Sequence, residues 1–199
     1  MRLTKLLVPG TLAASLLQGC AVIGLGPAPV DAFDITAPRE VTAVRRYPRT
    51  QILVPQPTAI QILDGQDIAV RVGSSLQLLK GARWADRLPV LVQSRVIEAF
   101  QRSGSFGGVG RPGEGLAIDY QVSIDIRSFE ISVEGGRQVA RVDLFVRILN
   151  DRNGVVRASR DFRAVAPVGG EDSAGLIEAL NRAFQQTAAE IVTWTTSSI

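Results

Sequence analysis

The regular alternation of apolar and polar side chains between residues 116 and 166 is the feature of this sequence that most constrains its fold. Apolar residues occupy every second position from Leu116 to Ile126, and the pattern returns in two later runs. A period of two residues is typical of strands that bury one face. Short segments at 134–137 and 151–154 separate the runs and have the glycine and polar content of tight turns. The sequence therefore predicts a three-stranded antiparallel meander.

The alternation in the first of these strands shifts by one position near Arg127-Ser128. Apolar residues stand at even positions up to Ile126 and at odd positions from Phe129 onwards. Because a slip of one residue turns every later side chain to the other face, the shift predicts a β-bulge or a change of sheet face. In the third strand, Arg160 falls on the otherwise apolar face, and the alternation gives no reason for a charge there.

Two amphipathic segments, one on each side of the meander, have the spacing of helices. The first is predicted to begin at Asp86, whose carboxylate can cap free backbone N–H groups, with Pro89 in its first turn and its end near Gly104. The second is predicted to run from Glu171-Asp172 to about Thr195. The order of elements predicts an α+β fold, a two-layer sandwich of a mainly antiparallel sheet with both amphipathic helices on one face.

The remaining segments are predicted as short strands and loops. Strands are expected at 33–35, 51–54, 67–72 and 74–79, and a loop at 37–48. The glycine-rich segment 104–115 contains a formal GxGxxG match at Gly108–Gly113. A dinucleotide site needs a strand before these glycines and a helix after them, whereas here a helix precedes and a strand follows. The pattern therefore favours a flexible loop.

The N-terminal segment has the layout of a secretory signal, with Arg2 and Lys5 followed by an apolar run too short to be a permanent membrane helix. Leu16-Leu17-Gln18-Gly19-Cys20 resembles the lipobox of bacterial lipoproteins, and Cys20 is the only cysteine in the chain. We predict a lipoprotein signal peptide at 1–19, a lipidated tether at 20–32 and a single domain at 33–199. The alternative is an ordinary signal peptide that happens to precede a cysteine.

The composition excludes several classes of function. Removing Arg2 and Lys5 from the 22 basic residues leaves 20 against 19 acidic ones, so no nucleic-acid partner is expected. The chain has no histidine and no cysteine besides Cys20. Histidine-dependent triads, most zinc sites and thiol chemistry are therefore excluded. We expect no enzymatic activity, no cofactor and no metal.

The segment Gly81–Pro89, with Trp84-Ala85-Asp86-Arg87-Leu88 leading into a helix, resembles the PqiC-like ABC-type transport auxiliary lipoproteins. Phe33-Asp34-Ile35 and Ile68-Ala69-Val70-Arg71 add to this resemblance, which extends over roughly residues 33–195. It implies a lipoprotein that works with an MCE-domain transporter, which carries phospholipid or other lipid between two membranes. It also implies a fold similar to the N-terminal domain of TolB and no catalytic residues.

The resemblance makes Trp84, Asp86, Leu88 and Pro89 a candidate site, either as an aromatic residue packed beside a helix start or as a contact for a partner. Ala21 after the cysteine favours the periplasmic face of the outer membrane of a Gram-negative bacterium. Because MCE assemblies are ring-shaped homo-oligomers, the chain is expected to be able to oligomerise as well. Two other functions stay open: a structural lipoprotein, such as a pilotin or anchor of a secretion complex, and an anchored enzyme, which the missing histidine disfavours.

Replacing Cys20 with alanine tests the lipidation. The thiol is the only acceptor for acyl chains such as palmitate at this motif, so Cys20→Ala should abolish labelling by a radioactive fatty acid. The variant should remain unprocessed or become soluble in the periplasm. Unchanged fractionation of Cys20→Ala with the outer membrane would contradict the prediction.

Overall fold

The computed structural model describes residues 30–170 and 172–199, which form nine strands, two α-helices and one short 3-10 helix. The predicted signal peptide, Cys20 and most of the predicted tether lie outside the described residues. The elements are β1 Asp31–Phe33, β2 Tyr47–Leu53, β3 Thr58–Ala59, the 3-10 helix Gln61–Leu63, β4 Asp67–Val72, β5 Ser75–Trp84, α1 Leu88–Ser103, β6 Phe106–Gly110, β7 Tyr120–Glu134, β8 Arg137–Asn150, β9 Val156–Pro167 and α2 Ser173–Ser198. The prediction of a mixed α+β fold is confirmed.

The predicted meander is formed by β7, β8 and β9, which pair antiparallel in chain order. The register of β7 against β8 shifts between Ile126 and Ser128, so the predicted bulge is confirmed. Ile126 and Phe129 are both buried, although three positions separate them, because the bulge turns the second half of the strand over. Gly135 and Gly136 form the first turn with positive φ angles of 56° and 77°, which glycine adopts without strain.

The second edge of β7 is shared by three short strands, all parallel to it. Ile52 of β2 pairs with Tyr120, Thr58 of β3 with Asp125, and Ala69 of β4 with Glu130. Outside β7, β4 pairs antiparallel with β5, while β1 joins β5 and β6 joins β2 in parallel. The long pairings are therefore antiparallel, as predicted, but the short ones are mostly parallel and the sheet is mixed.

The prediction of a flexible loop over residues 104–115 is wrong in its first half, because Phe106–Gly110 forms strand β6. It pairs with β2 from Tyr47 to Leu53, which also moves the start of β2 into the segment predicted as a loop. A Cβ atom on Gly107 would lie 2.3 Å from the carbonyl oxygen of Pro48. Glycine thus permits the close approach of the two backbones. Because β6 is rich in glycine, its sequence shows no alternation of apolar and polar side chains, and periodicity did not predict this strand.

The two helices begin in different ways. Helix α1 begins at Leu88 after Arg87, with no side-chain cap, and the carboxylate of Asp86 accepts only the backbone N–H of Arg87, at 2.6 Å. The prediction that Asp86 caps this helix is therefore wrong, although Pro89 does lie in the first turn. Asp172 caps α2, since its carboxylate accepts the backbone N–H of Gly175 at 3.0 Å. Helix α2 ends at Ser198, slightly later than predicted.

Both helices and the sheet bury side chains in one continuous hydrophobic cluster. Helix α2 packs on β7, β8 and β9, and α1 contacts α2 and β6. The largest completely buried side chains are aromatic: Trp84, Phe100, Phe129, Phe162 and Phe184. Phe129 of β7 lies 6.0 Å from Phe184 of α2 between ring centroids, so the odd-numbered residues in this half of β7 face the helices.

Alanine substitutions at Asp172 and Asp86 should distinguish an aspartate that caps a helix from one that only precedes it. Asp172→Ala removes a side-chain cap and should lower the free energy of unfolding by about 0.5–2 kcal/mol. Asp86→Ala should have a smaller effect, because its carboxylate caps no helical N–H group. Urea denaturation followed by circular dichroism measures both. Equal losses for the two variants would contradict the assignment.

Candidate functional site

Three of the four residues proposed from the sequence lie in the core. Trp84 is completely buried, and its ring meets Phe129 edge to face with centroids 5.6 Å apart. Its indole nitrogen has no hydrogen-bond partner among the described residues, so the side chain acts by packing. Leu88 and Pro89 are also buried. Asp86 alone is exposed, and its contact with a partner stays a prediction.

The lead-in segment, residues 34–44, contains the end of the predicted strand 33–35 and most of the predicted loop 37–48. The structure forms no strand here and places the segment across both helices. On α1, Arg95 donates to the carbonyl of Ile35 at 2.7 Å and forms an ion pair with Asp34. Burial lowers the pKa of Arg95, but hydrogen bonds to Asp34 and Glu98 outweigh it and raise the pKa overall. Arg102 donates to the carbonyl of Pro38 at 2.9 Å. The side chains of Arg95 and Arg102 therefore bind the backbone of this segment, which forms no strand.

Helix α2 holds the other side of the lead-in segment through uncharged groups. The backbone N–H of Thr36 donates to the side-chain oxygen of Asn181 at 2.8 Å, and Thr193 donates its hydroxyl to the carbonyl of Thr42 at 2.7 Å. The segment thus follows α2 from its middle to its C-terminal end. Sequence periodicity could not predict this contact, because an extended segment that lies on helices does not bury its side chains at regular intervals.

A cavity of about 350 Å³ opens between the lead-in segment, β9 and the C-terminal half of α2. It is lined by Glu40, Thr42, Arg160, Ala189, Glu190, Thr193, Trp194 and Ser197. Arg160, the charged residue on the otherwise apolar face of β9, lines this cavity. Its guanidinium carbon lies 5.2 Å from the ring centre of Phe162, which in turn meets Trp194 edge to face at 5.4 Å.

The opposite side of the sheet carries a buried ion pair. Glu130 faces away from the helices because its neighbour Phe129 faces them. Its side chain is only 2% exposed, and Arg71 donates to both carboxylate oxygens, at 2.5 and 3.0 Å. The hydrogen bond to Glu130 raises the pKa of Arg71. Arg71 is therefore held in one orientation while about a third of its side chain stays exposed.

Exposed aliphatic side chains flank this ion pair. We define the outer face as Arg71 together with a row of residues that are neighbours across five strands: Leu78, Ala69, Glu130, Arg141 and Val165. Leu78 is 47% and Val165 52% exposed. Hydrogen bonds from Arg141 and Ser132 lower the pKa of the nearby Glu134 carboxyl. Among charged residues, arginine is the one that is enriched at surfaces that bind proteins.

The described residues contain no group of three or more acidic side chains that could hold a metal ion. Neither of the described helices combines the length and the apolar composition needed to cross a membrane.

Comparisons with known proteins identify relatives along most of the chain. A family model described as ABC-type transport auxiliary lipoprotein component matches residues 33–192. A crystal structure of a Xanthomonas campestris protein of the DUF330 family is 30% identical, with a TM-score of 0.76 over 84% of this chain and 93% of that one. A hypothetical protein of Chlamydia trachomatis shares the fold at 11% identity, with a TM-score of 0.54 over 75% of this chain and 97% of that one.

A curated relative, an uncharacterized protein of Bradyrhizobium diazoefficiens, is 29% identical over 176 residues. These residues make up 88% of this chain but only 47% of the relative. The chain therefore spans about half the length of that protein.

Substitutions of Trp84 test its packing role. Trp84→Ala should lower the free energy of unfolding by about 3–5 kcal/mol, because it leaves a cavity beside Phe129. Trp84→Phe should cost less, since the indole nitrogen has no partner to lose among the described residues. Chemical denaturation measures both. If Trp84→Ala left stability unchanged but abolished the binding of a partner, the packing interpretation would be wrong.

Proposed function

The chain belongs to the family of ABC-type transport auxiliary lipoprotein components, and we propose that it serves an intermembrane lipid transport system as the docking module for its MCE-domain protein. The observation that carries this proposal is the family match over residues 33–192, which includes α1, the whole meander and most of α2. The family is defined by an auxiliary role in transport and is not an enzyme class.

The proposed anchor is acylated Cys20 in the periplasmic leaflet of the outer membrane. A bacterial lipoprotein carries several acyl chains, and more than one chain is needed for stable attachment. The part of the predicted tether before β1, from Cys20 to Val30, would separate the domain from the lipid by up to about 31 Å if extended at about 3.1 Å per residue. The domain could then meet a partner that rises from the inner membrane.

We propose the outer face as the surface that contacts the MCE-domain protein. Arg71 is already oriented by Glu130, so binding would not have to order its side chain. Leu78 and Val165 would supply apolar area on both sides. Oriented arginines among apolar groups are enriched where interface residues contribute most to affinity.

Two finer features belong to the same proposal. The helices and sheet would form a two-layer sandwich similar to the N-terminal domain of TolB. A lipoprotein that matches a ring-shaped partner would also form a homo-oligomer and so present its docking surface repeatedly.

Co-purification of the full-length lipoprotein with the MCE-domain protein encoded beside it tests the docking role. Leu78→Asp and Val165→Asp should each weaken the association at least about tenfold, because each introduces a charge into the contact. Val44→Asp is the matched control, since Val44 is 57% exposed but lies on the helix side of the sheet. Thermal melting of each variant verifies folding.

Two results would contradict the proposal. One is equal retention of the partner by all three variants, which would exclude the outer face. The other is no association of the wild-type protein together with unchanged detergent sensitivity after deletion of the gene, which would exclude the transport role.

A further inference from the structure

The cavity beside Trp194 contains a cation, Arg160, that forms no ion pair with the described residues. Arg160 has no carboxylate oxygen within 4.0 Å of its guanidinium nitrogens among residues 30–170 and 172–199. Its contact with the Phe162 ring keeps the group beside the cavity. A guanidinium offers five N–H donors in a planar fork, which matches the oxygen atoms of a phosphate group. One side of the cavity is therefore suited to an anion.

The same cavity also carries two carboxylates, Glu40 from the lead-in segment and Glu190 from α2. Gln186 donates to one oxygen of Glu190 at 3.0 Å, and the other oxygen makes no ion pair among the described residues. A simple anion would be repelled by these two groups, and a simple cation by Arg160. A ligand that carries both charges, held apart, complements the cavity.

The aromatic wall adds a surface for the positive end of such a ligand. Trp194 is partly exposed in the cavity and held edge to face against Phe162. Tryptophan is the best side chain for attracting an ammonium group to a ring face. Thr42 and Ser197 place further polar groups around the cavity.

We propose that this cavity binds a phosphorylated amino alcohol, with its phosphate on Arg160 and its ammonium group between Glu40, Glu190 and Trp194. The carboxylates lie more than 4.0 Å from the guanidinium. Phosphoethanolamine separates its charges by two carbons and an ester oxygen, whereas an α-amino acid holds them on neighbouring carbons. The wider separation lets the two charged ends of the ligand contact different side chains of the cavity.

Such a group occurs as a free compound and as the headgroup of a zwitterionic phospholipid. The lipid source rests on the proposed function, because only an anchored protein is kept beside headgroups. The lead-in segment supplies Glu40 and Thr42 and follows the proposed tether directly. From Cys20 to Val30 the chain makes ten residue-to-residue steps, which span up to about 31 Å at about 3.1 Å each, so the cavity could reach the membrane surface.

The fluorescence of Trp194 provides a direct measurement. The chain has two tryptophans, so Trp84→Phe leaves Trp194 as the only reporter in the full-length lipoprotein in neutral detergent. Titration with phosphoethanolamine should change its emission with saturation, whereas inorganic phosphate or glycine at the same concentration should bind at least about tenfold more weakly. No change with phosphoethanolamine, or equal binding of phosphate or glycine, would overturn the proposal.

Matched variants test the two ends of the ligand. Arg160→Gln should weaken binding at least about tenfold. Its control is Arg147→Gln, because Arg147 also lies over an aromatic ring, Phe145, but on the other side of the sheet. Glu190→Gln should weaken binding of phosphoethanolamine but not of phosphate, and Glu178→Gln on the same helix is its control. Equal effects of a variant and its control would overturn the assignment of that residue.

Reconstitution into vesicles identifies the source of the ligand. Vesicles of phosphatidylethanolamine and phosphatidylglycerol should lower the apparent affinity for free phosphoethanolamine relative to vesicles of phosphatidylglycerol alone, because the lipid headgroup competes. Equal affinity in both would support the site but assign it to the soluble compound. The Arg160→Gln variant should co-purify with the MCE-domain protein as well as the wild-type protein does. This measurement distinguishes a failure of the cavity proposal from a failure of the proposed docking role.

Discussion

The pairing of β7 along both of its edges is the constraint on which the rest of the structure depends. One edge pairs with β8 from Tyr120 to Glu134, and the other accepts β2, β3 and β4 in turn. A strand paired on both sides satisfies its backbone polar groups without water and can be long and central. The bulge between Ile126 and Ser128 lets both halves of this strand bury apolar side chains, which the two helices then cover.

The lead-in segment has the second organising role, because it carries the chain from β1, at one edge of the sheet, across both helices. Its carbonyl groups are bound by Arg95 and Arg102, and its polar groups by side chains of α2. It also forms one wall of the cavity that contains Arg160. The part of the chain nearest to the proposed membrane anchor therefore shapes one of the two surfaces proposed to bind.

Those two surfaces lie on opposite sides of the sheet. The outer face combines the Arg71–Glu130 pair with exposed aliphatic groups, whereas the cavity lies on the helix side and combines charges of both signs with an aromatic wall. The sheet separates them, so a protein partner on the outer face would leave the cavity open. Their different chemistry fits different occupants, a protein surface on one side and a small zwitterion on the other.

The meander, the bulge near Arg127, the α+β class and, within a few residues, both helices were predictable from the sequence, because each produces a local periodicity of side chains. The sequence left Trp84 open between packing and contact with a partner, and it showed Arg160 as an anomaly. Four features became apparent only from the three-dimensional fold: glycine-rich β6 is a strand, the lead-in segment lies on the helices, Asp86 is not a cap, and Arg160 lines a cavity. The reason is that parallel pairing and helix–segment contacts join residues far apart in the chain, which no local pattern encodes.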